Sequence, residues 1–282
     1  MTQTVRSFRR EIAYGPIRSA QFGFAIGVNI LPADLKVCSF NCPSCQYGWT
    51  RVGLAGTEPR IPWPPTAAVV EAVTGALGDV KEKADAISRL LLAGPGEPTL
   101  HPRFEDIVLE LLSVRDKVAP GTPLAVISNS STLDRPAVMR ALRQVDERYM
   151  RLDAGDEQTS RAVAGVPVAV GAMVEQLRDL GAVIVRTVFV ADHVRRINNA
   201  TERALGYWMS ALSVIHPTEV HIATLRRRPA WPYLGAIPEE KLYDVAHRLE
   251  AAGFRVKVFT TPWTGKFGTT YQDEGDTVLG CA

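Results

Sequence analysis

Short apolar runs recur along the chain and predict the strands of a buried sheet. The first run, Gly23–Ile30, is biased toward β-branched residues and stops before Pro32. Uninterrupted runs of this length are typical of strands that are covered on both faces. We predict seven strands, at Gly23–Ile30, Arg89–Leu92, Leu124–Ile127, Tyr149–Leu152, Val183–Val190, Glu219–Ala223 and Val256–Phe259.

Helical periodicity fills the segments between these strands. The clearest case begins after Pro102, where apolar residues from Phe104 to Leu112 recur at the i, i+3, i+4, i+7 and i+8 spacing of an amphipathic helix. Asp134 is a candidate N-cap for another helix, and Gly253 is placed to end the last one. The predicted helices cover residues 66–77, 104–112, 134–144, 168–181, 205–215 and 242–249.

Strands and helices alternate over the body of the chain, which predicts parallel strands joined by right-handed crossovers. Seven strands and six helices fit an open, partial (β/α) barrel better than a flat nucleotide-binding sheet, although periodicity alone does not separate the two. We expect one domain, with residues 1–21 as an N-terminal arm, 22–259 as the barrel and 260–282 as a C-terminal tail.

The composition is that of an ordinary globular protein, with 46% hydrophobic and 22% charged residues. A formal net charge of +2 gives no support for a general nucleic-acid binder. No segment approaches the roughly 20 apolar residues of a membrane span. Arg9-Arg10 is followed by an apolar stretch that runs into a cysteine loop without a cleavage site, which argues against a twin-arginine export signal. We expect a cytoplasmic protein, because three of its four cysteines share one loop and form no disulfide framework.

That loop contains Cys38, Cys42 and Cys45 in a C-x3-C-x2-C spacing. A structural zinc site needs four ligands, and the loop has no histidine to act as the fourth. A ferredoxin-type run would have a fourth cysteine nearby, whereas Cys281 lies at the far end of the sequence. Three thiolates on a four-iron, four-sulfur cluster would leave one iron open for a chelating ligand. A zinc loop or a chance grouping is the alternative.

A second loop, Gly94-Pro95-Gly96-Glu97-Pro98, follows the predicted strand Arg89–Leu92. Its prolines lack N–H groups and no Lys-Ser/Thr pair follows it, so it does not fit a phosphate-binding loop. Exposed carbonyls and one carboxylate suit an ammonium group. An ordinary turn between a strand and a helix would also account for these residues.

Together the two loops resemble the radical SAM superfamily, in which three cysteines hold a 4Fe–4S cluster and S-adenosylmethionine (SAM) binds its open iron. The resemblance implies that Cys38, Cys42 and Cys45 bind the cluster, and that SAM is reductively cleaved to a 5′-deoxyadenosyl radical that abstracts a hydrogen atom. It also implies a partial (β/α)6 barrel of the TIM type, with parallel strands and a tail over its mouth, and an external one-electron donor of the flavodoxin or ferredoxin type. The likeness extends over most of residues 14–260, through short segments at 14–16, 27–29, 36–38, 46–48 and 152–156.

Loops after the second, third and fourth predicted strands lie where family members bind SAM. Pro95 replaces the middle residue of a Gly-Gly-Glu motif that binds the methionine amino group, and Ser44 replaces an aromatic residue that packs near adenine, a role that Tyr47 could take. Residues of the same types also form caps and turns. The implied SAM-binding residues are Tyr47, Gly94, Gly96, Glu97, Pro98, Ser128, Asn129 and Asp153.

The remaining cysteine, Cys281, has three possible roles: an idle thiol, an extra metal ligand or a hydrogen-atom donor. The tail also carries Trp263, Phe267 and Tyr271, which could pack it over the barrel mouth. A thiol on the side of the substrate opposite the deoxyadenosyl radical could return a hydrogen atom and invert a stereocentre, as in radical SAM epimerases that this arrangement resembles.

The function predicted first is therefore epimerisation of a small polar molecule such as a sugar, a nucleoside or an amino-acid-derived compound. The alternatives are dehydrogenation, rearrangement, modification of a transfer-RNA base, and activation of a glycyl-radical partner protein. We expect a small-molecule substrate and no membrane or general nucleic-acid partner. Arg195-Arg196 and Arg226-Arg227-Arg228 follow predicted strands and fit either an anionic substrate or a solvated rim, and His193 could face the same site.

Overall fold

A single mixed sheet organises the computed structural model, which describes residues 11–50, 61–82, 87–192, 194 and 196–260. Most of its strands are short and buried, as the apolar runs predict. In chain order, the strands among the described residues are β1 Ala13–Ser19, β2 Gly23–Val28, β3 Arg89–Leu92, β4 Leu124–Ser128, β5 Glu147–Arg151, β6 Val183–Asp192, β7 Ile197–Asn198, β8 Glu219–Thr224, β9 Gly235–Ala236 and β10 Val256–Phe259.

The strands lie side by side in the order β1-β2-β3-β4-β5-β6-β8-β10. All neighbours from β2 to β10 are parallel, whereas β1 is antiparallel to β2, and the short β7 and β9 pair with the end of β6. Each parallel strand is laid beside the one before it, so right-handed crossovers bring the helices to one face of the sheet. This is the arrangement of an open, partial barrel, and the α/β fold expected from the sequence is confirmed.

Helices connect the parallel strands, and no helix of the described residues is long and apolar enough to cross a membrane. Their ends follow ordinary capping chemistry: the Thr201 side chain accepts a hydrogen bond from the backbone N–H of Ala204 at the start of one helix, and Asp156 caps another by accepting from Thr159. The helices are α1 Thr66–Glu82, α2 Phe104–Val118, α3 Pro136–Gln144, α4 Glu157–Ala164, α5 Val170–Leu180, α6 Glu202–Ile215 and α7 Glu239–Ala251.

The sheet separates two clusters of buried apolar side chains. On its outer face, Leu90 and Leu92 of β3 belong to the main core together with helix residues such as Ile107. On its inner face, Leu91 belongs to a smaller cluster that contains no helix residue among its buried members. Because successive side chains of a strand point to opposite faces, one run of leucines serves both clusters.

The inner face has two halves that differ in burial. Over β2, β3 and β4, side chains of the β1–β2 hairpin cover the inner face. Leu91 and Ile127 are fully buried there, in one cluster with Ile17 and Phe22 of the hairpin. We call this the closed half. Over β6, β8 and β10, side chains such as Val188 and Phe259 are only half-buried among the described residues. We call this the open half.

The hairpin corrects the predicted N-terminal arm, because part of residues 1–21 forms β1. The Tyr14 hydroxyl donates to the carbonyl of Ala93 at 3.4 Å, and the Tyr14 ring lies where a Cβ on Gly27 would stand, 2.1 Å away. Gly15 and Pro16 interrupt the apolar pattern of this segment, as residues of an edge strand often do.

Two predictions about helices were also wrong or incomplete. The N-cap of α3 is Arg135 rather than Asp134, and Arg135 makes no side-chain capping bond. Pro136, in the first turn, fixes the backbone at the start of α3 instead. The helix α4 was not predicted, because its eight residues include only two turns and few apolar positions. The strands Arg89–Leu92 and Val256–Phe259 are confirmed at both ends.

Candidate active site

The polar loops singled out in the sequence all follow the carboxyl ends of parallel strands. The cysteine loop comes after β2, the loop with Gly96 after β3 and Asp153–Asp156 after β5, while Ser128 is the last residue of β4 and 129–132 follow it. Parallel neighbours end at one edge of a sheet, so these loops meet there, where α/β barrels build their active sites.

The cysteine loop is held in place by hydrogen bonds to its backbone. The N–H of Cys45 donates to the carbonyl of Cys42 at 3.1 Å, which forms a tight turn between two of the thiols. Asn41 anchors the loop to α4, since its N–H donates to the carbonyl of Ala164 at 2.8 Å. Gly165 allows this approach, because a Cβ there would lie 2.2 Å from the Asn41 carbonyl oxygen.

All three thiols of this loop are buried. Burial, together with the neighbouring Cys42 thiol, raises the pKa of Cys38 to about 12. Burial also raises the pKa of Cys42, although the positive charge of Arg151 acts in the opposite direction. Buried thiols lose their protons readily only when a cation replaces the proton, as metal ligation does.

The donor set fits an iron–sulfur cluster. Among the described residues, no three His, Cys, Asp or Glu side chains are arranged to hold a single metal ion. A cluster differs from a single ion because each thiolate binds its own iron, so the three sulfurs need not converge on one point. Cys38, Cys42 and Cys45 are the residues that would hold it.

The loop after β3 packs directly against the cysteine loop. Val37 and Gly96 form a parallel bridge, and the N–H of Glu97 donates to the carbonyl of Val37 at 2.9 Å. Gly96 has a φ of +154°, and a Cβ there would lie 1.9 Å from the Val37 carbonyl oxygen. Gly94 is similarly restricted, since its Cβ would lie 2.3 Å from Oδ1 of Asn29. Only glycine allows the two loops to come this close.

Glu97 is completely buried and links the loops after β3 and β4. Its carboxylate accepts hydrogen bonds from the N–H and the hydroxyl of Thr99, at 3.1 and 2.6 Å, and from the N–H of Asn129 at 2.6 Å. Burial raises the pKa of Glu97, while the hydrogen bonds from Asn129 and Thr99 oppose that shift. The Ser128 side chain adds a fourth hydrogen bond, so the roughly four acceptor positions of the carboxylate are met within the protein.

The loop after β4 reaches the first cysteine. The Asn129 side-chain amide donates to the Ser39 hydroxyl at 2.9 Å and to Sγ of Cys38 at 3.6 Å. Ser128 accepts from the N–H of Ser130 at 3.0 Å and is fully buried. Asn129 thus lies next to a thiol that would bind the cluster.

The loop after β5 adds an ion pair that the sequence analysis missed. Arg151, the last residue of β5, is buried and pairs with Asp153, and it also donates to the Ser44 hydroxyl at 3.1 Å. The Asp153 carboxylate in turn accepts from the N–H of Val188 at 2.8 Å. An arginine within the apolar run of a buried strand is the signal that could have identified this residue.

Asn199 is a second missed residue and supports this ion pair. Its buried side-chain amide donates to the carbonyls of Asp153 and Val188, at 2.9 and 3.0 Å, and its oxygen accepts from the N–H of Val190 at 2.8 Å. These bonds join the ends of β5 and β6. Asn199 follows Asn198, and this asparagine pair has no sequence pattern that distinguishes it from turn residues.

Some of the remaining predicted residues lie in the described part of the chain and others do not. Tyr47 is buried and packs in one cluster with Cys42 and Cys45. Pro98 begins a short 3-10 turn after Glu97. Cys281, His193 and Arg195, as well as the tail residues Trp263, Phe267 and Tyr271, lie outside the described residues.

A family model, the radical SAM superfamily, matches residues 35–219 of the chain. This span is well over half of the chain and contains the cysteine loop and the loops after β3, β4 and β5.

Several curated relatives match part or most of the chain. A UPF0026 protein of Helicobacter pylori is 30% identical over 145 residues, which are 51% of this chain and 43% of that protein. A UPF0026 protein of Synechocystis is 26% identical over 78% of this chain and 76% of its own length. The GTPase Obg of Brachyspira hyodysenteriae is 23% identical over 88% of this chain but 35% of its own length. The chain thus spans less than half the length of the first of these relatives.

Solved structures with the same fold are more distant in sequence. A radical SAM methyltransferase from Sphaerobacter thermophilus has a TM-score of 0.63 at 16% identity, covering 84% of this chain and 66% of that one. SuiB of Streptococcus suis bound to S-adenosylmethionine has a TM-score of 0.57 at 10% identity, covering 83% and 50%. TYW1 with a lysine-pyruvate adduct has a TM-score of 0.57 at 16% identity, covering 82% and 75%. At these identities the likeness concerns the fold alone.

Proposed function

The chain belongs to the radical SAM superfamily, and we propose that it is an epimerase of a small polar molecule that uses Cys281 as its hydrogen-atom donor. Members of the family are enzymes that use a 4Fe–4S cluster and SAM and need an external electron donor. When bound, these cofactors supply a 5′-deoxyadenosyl radical that removes a hydrogen atom from the substrate.

Cys38, Cys42 and Cys45 are the proposed cluster ligands, and the loops packed around them are the proposed SAM site. Glu97 and the carbonyls around Gly94 and Gly96 are the proposed partners of the methionine amino group, because they combine a carboxylate with further hydrogen-bond acceptors beside the cysteine loop. Ser128, Asn129 and Asp153 would bind the SAM carboxylate and ribose hydroxyls, Pro98 would shape the first loop, and Tyr47 would pack near adenine. The support for this assignment is that Glu97 and Asn129 are tied to one another and to the cysteine loop.

The direction of β10 is the observation that carries the epimerase proposal. β10 lies parallel to β8 and ends at Phe259, so the chain leaves it at the edge where the cysteine loop lies. Cys281 follows in the sequence after that exit. A tail that starts at the active-site edge is the simplest way for a distant thiol to reach the substrate.

The proposed role of Cys281 is to break its S–H bond and form a C–H bond on the face of the substrate opposite to the abstraction. The stereocentre is inverted, and a cysteine thiyl radical remains. One electron from the flavodoxin- or ferredoxin-type donor and one proton from solvent return the thiyl to a thiol, so the step is balanced.

The test compares wild type with Cys281→Ser in deuterated water, with SAM and dithionite, over a panel of sugars, nucleosides and amino-acid derivatives. We expect wild type to put one deuterium at the inverted carbon of one compound, because the thiol exchanges with solvent. Cys281→Ser should still form 5′-deoxyadenosine with that compound but give no inverted product. Inversion by the serine variant would disprove the role of Cys281.

The other candidate reactions are separate outcomes of the same assay. Formation of 5′-deoxyadenosine that depends on added transfer RNA would replace the epimerase proposal with base modification. A glycyl-radical signal in a partner protein by electron paramagnetic resonance would replace it with an activase.

A further inference from the structure

A buried arginine lies between the cysteine loop and the loop after β5. The Arg151 side chain is 5% exposed, pairs with the Asp153 carboxylate and donates to the Ser44 hydroxyl at 3.1 Å. Ser44 stands between Cys42 and Cys45, two of the proposed cluster ligands. Arg151 therefore brings a positive charge to the segment of the loop that joins these two thiols.

Hydrogen bonds hold the backbone of both partners of this ion pair. The carbonyl of Arg151 accepts from the Ser130 hydroxyl at 3.0 Å, at the end of β5. The Asp153 carboxylate accepts from the N–H of Val188 at 2.8 Å, and the Asn199 amide donates to the Asp153 carbonyl at 2.9 Å. Asp153 thus offers its carboxylate to Arg151 in one orientation.

The ion pair has its positive end toward the cysteine loop. Among the described residues, the Asp153 carboxylate makes hydrogen bonds to Arg151 and to the backbone of Val188, but none to the cysteine loop. Arg151 makes the contact with Ser44. The guanidinium acts on the loop more strongly than the carboxylate does, because the Coulomb energy falls with distance.

The surroundings of the pair are largely apolar. Phe40, Val163 and Met173 line a small cavity together with Arg151 and Asp153. The side chain of Asp153 is 8% exposed, so water screens either charge only weakly. An ion pair in such surroundings affects neighbouring groups more strongly than one at the surface does.

We propose that Arg151 is a positioning residue that directs the positive end of this ion pair at the cluster and makes the cluster easier to reduce. The reduced cluster carries one electron more than the oxidised cluster, so a nearby positive charge stabilises the reduced form. Net charge, hydrogen bonds and solvent exposure around a cluster set its reduction potential. The inference rests on the proposed function in taking Cys38, Cys42 and Cys45 as the cluster ligands.

The hydroxyl of Ser44 suits this arrangement. Ser44 stands where an aromatic residue is usual in the family, and it gives Arg151 a hydrogen-bond acceptor within the cysteine loop. Ser44→Ala would remove this acceptor and leave both charges of the ion pair. It therefore separates the hydrogen bond from the electrostatic effect.

The test measures the midpoint potential of the cluster in the full chain, reconstituted anaerobically with iron and sulfide and without SAM. The readout is the electron paramagnetic resonance signal of the reduced cluster during a redox titration. At the wild-type midpoint, Arg151→Gln should lower the ratio of reduced to oxidised cluster by about tenfold, which corresponds to about 59 mV for one electron. Asp153→Asn should raise the same ratio by about threefold, because it removes the negative end of the pair.

Three further variants separate charge from structure. Arg151→Lys keeps the charge and Ser44→Ala keeps the ion pair, so both should have potentials close to that of wild type. Arg89→Gln is the matched control, because Arg89 also forms an ion pair, with Glu147 at 2.8 Å, but at the opposite end of the strands β3 and β5. It should destabilise the fold and leave the potential unchanged.

Asp153→Asn gives a second answer if Arg151→Gln assembles no cluster. The inference is wrong if Arg151→Gln has the wild-type potential, if Asp153→Asn does not raise it, or if Arg89→Gln shifts it as far as Arg151→Gln does. A wild type that binds no iron would overturn the proposed cluster ligands and this inference with them, whereas an unshifted potential overturns the inference alone. The measurement involves neither Cys281 nor a substrate, so its outcome is independent of the epimerase test.

Discussion

The two halves of the inner face belong to one sheet of parallel strands, but they differ in the side chains that they carry. The closed half contains Leu91, Ala125 and Ile127, and the β1–β2 hairpin covers them completely. The open half contains Arg186, which is half-buried, His221, which is buried, and Lys257, which is exposed, and ion pairs and hydrogen bonds hold these side chains in place. One half of the inner face is thus an apolar core, whereas the other half carries charged and polar side chains.

The largest expected effect is a difference in stability between the two halves. Phe22→Ala should reduce the free energy of unfolding by about 3–5 kcal/mol, because Phe22 is fully buried and packs edge-on to Tyr149. Phe259→Ala in the half-buried open half is the matched control and should lose about 1 kcal/mol. Urea unfolding measures both variants. Equal losses would mean that the open half is also a structural core.

A pH effect of intermediate size should come from His221 in the open half. Its pKa of about 4 in the fold is below that of the unfolded chain, so the unfolded state takes up the proton first as the pH falls. The stability that neutral His221 contributes is therefore present above pH 6.5 and is lost between about pH 6.5 and pH 4. The charged groups that face it are Glu219, Arg186 and Lys257.

Urea unfolding at pH 7 and pH 4.5 tests this effect. Wild type should lose about 2–3 kcal/mol more than His221→Gln over that range. His247→Gln removes an exposed histidine of α7 and should follow wild type. Parallel curves for wild type and His221→Gln would show that His221 is not buried in its neutral form.

The smallest expected effect concerns the packing of Tyr14 of the β1–β2 hairpin against Gly27. Gly27→Ala should cost about 1–3 kcal/mol, because the new Cβ would lie 2.1 Å from the Tyr14 ring. Adding Tyr14→Ala should make the double variant less destabilised than the sum of the single changes. Gly75→Ala in α1 is the control and should be neutral or stabilising, since nothing lies within 4 Å of its Cβ. Simple additivity would mean that the hairpin does not pack on Gly27.

Much of the fold follows from local patterns. The strands Arg89–Leu92 and Val256–Phe259 could be predicted at both ends, because a parallel strand that is buried on both faces consists mostly of apolar residues. The hairpin strand β1 and the short helix α4 could not, since Gly15 and Pro16 break the pattern of one and the other has few apolar residues. The positions of β1 and α4 in the fold are determined by the residues that they pack against.

The same division holds within the candidate active site. The cysteine spacing and the Gly96-Glu97 loop indicate their chemistry by residue type alone. Arg151 and Asn199 do not, because an arginine or an asparagine acquires a role only from the carboxylate or carbonyl that packing brings within hydrogen-bond distance.

Three features follow from the sequence alone: the alternation of strands and helices, the edge at which the loops meet, and the three thiols. They depend on short spacings and on the direction of parallel strands. The docking of the Val37 and Gly96 loops and the pairing of basic residues across neighbouring strands emerge only on folding. Register and close approach depend on contacts between residues that are far apart in the chain, as between Arg151, Arg186 and Lys257. No local pattern encodes those distances, because the sheet that creates them exists only in the folded chain.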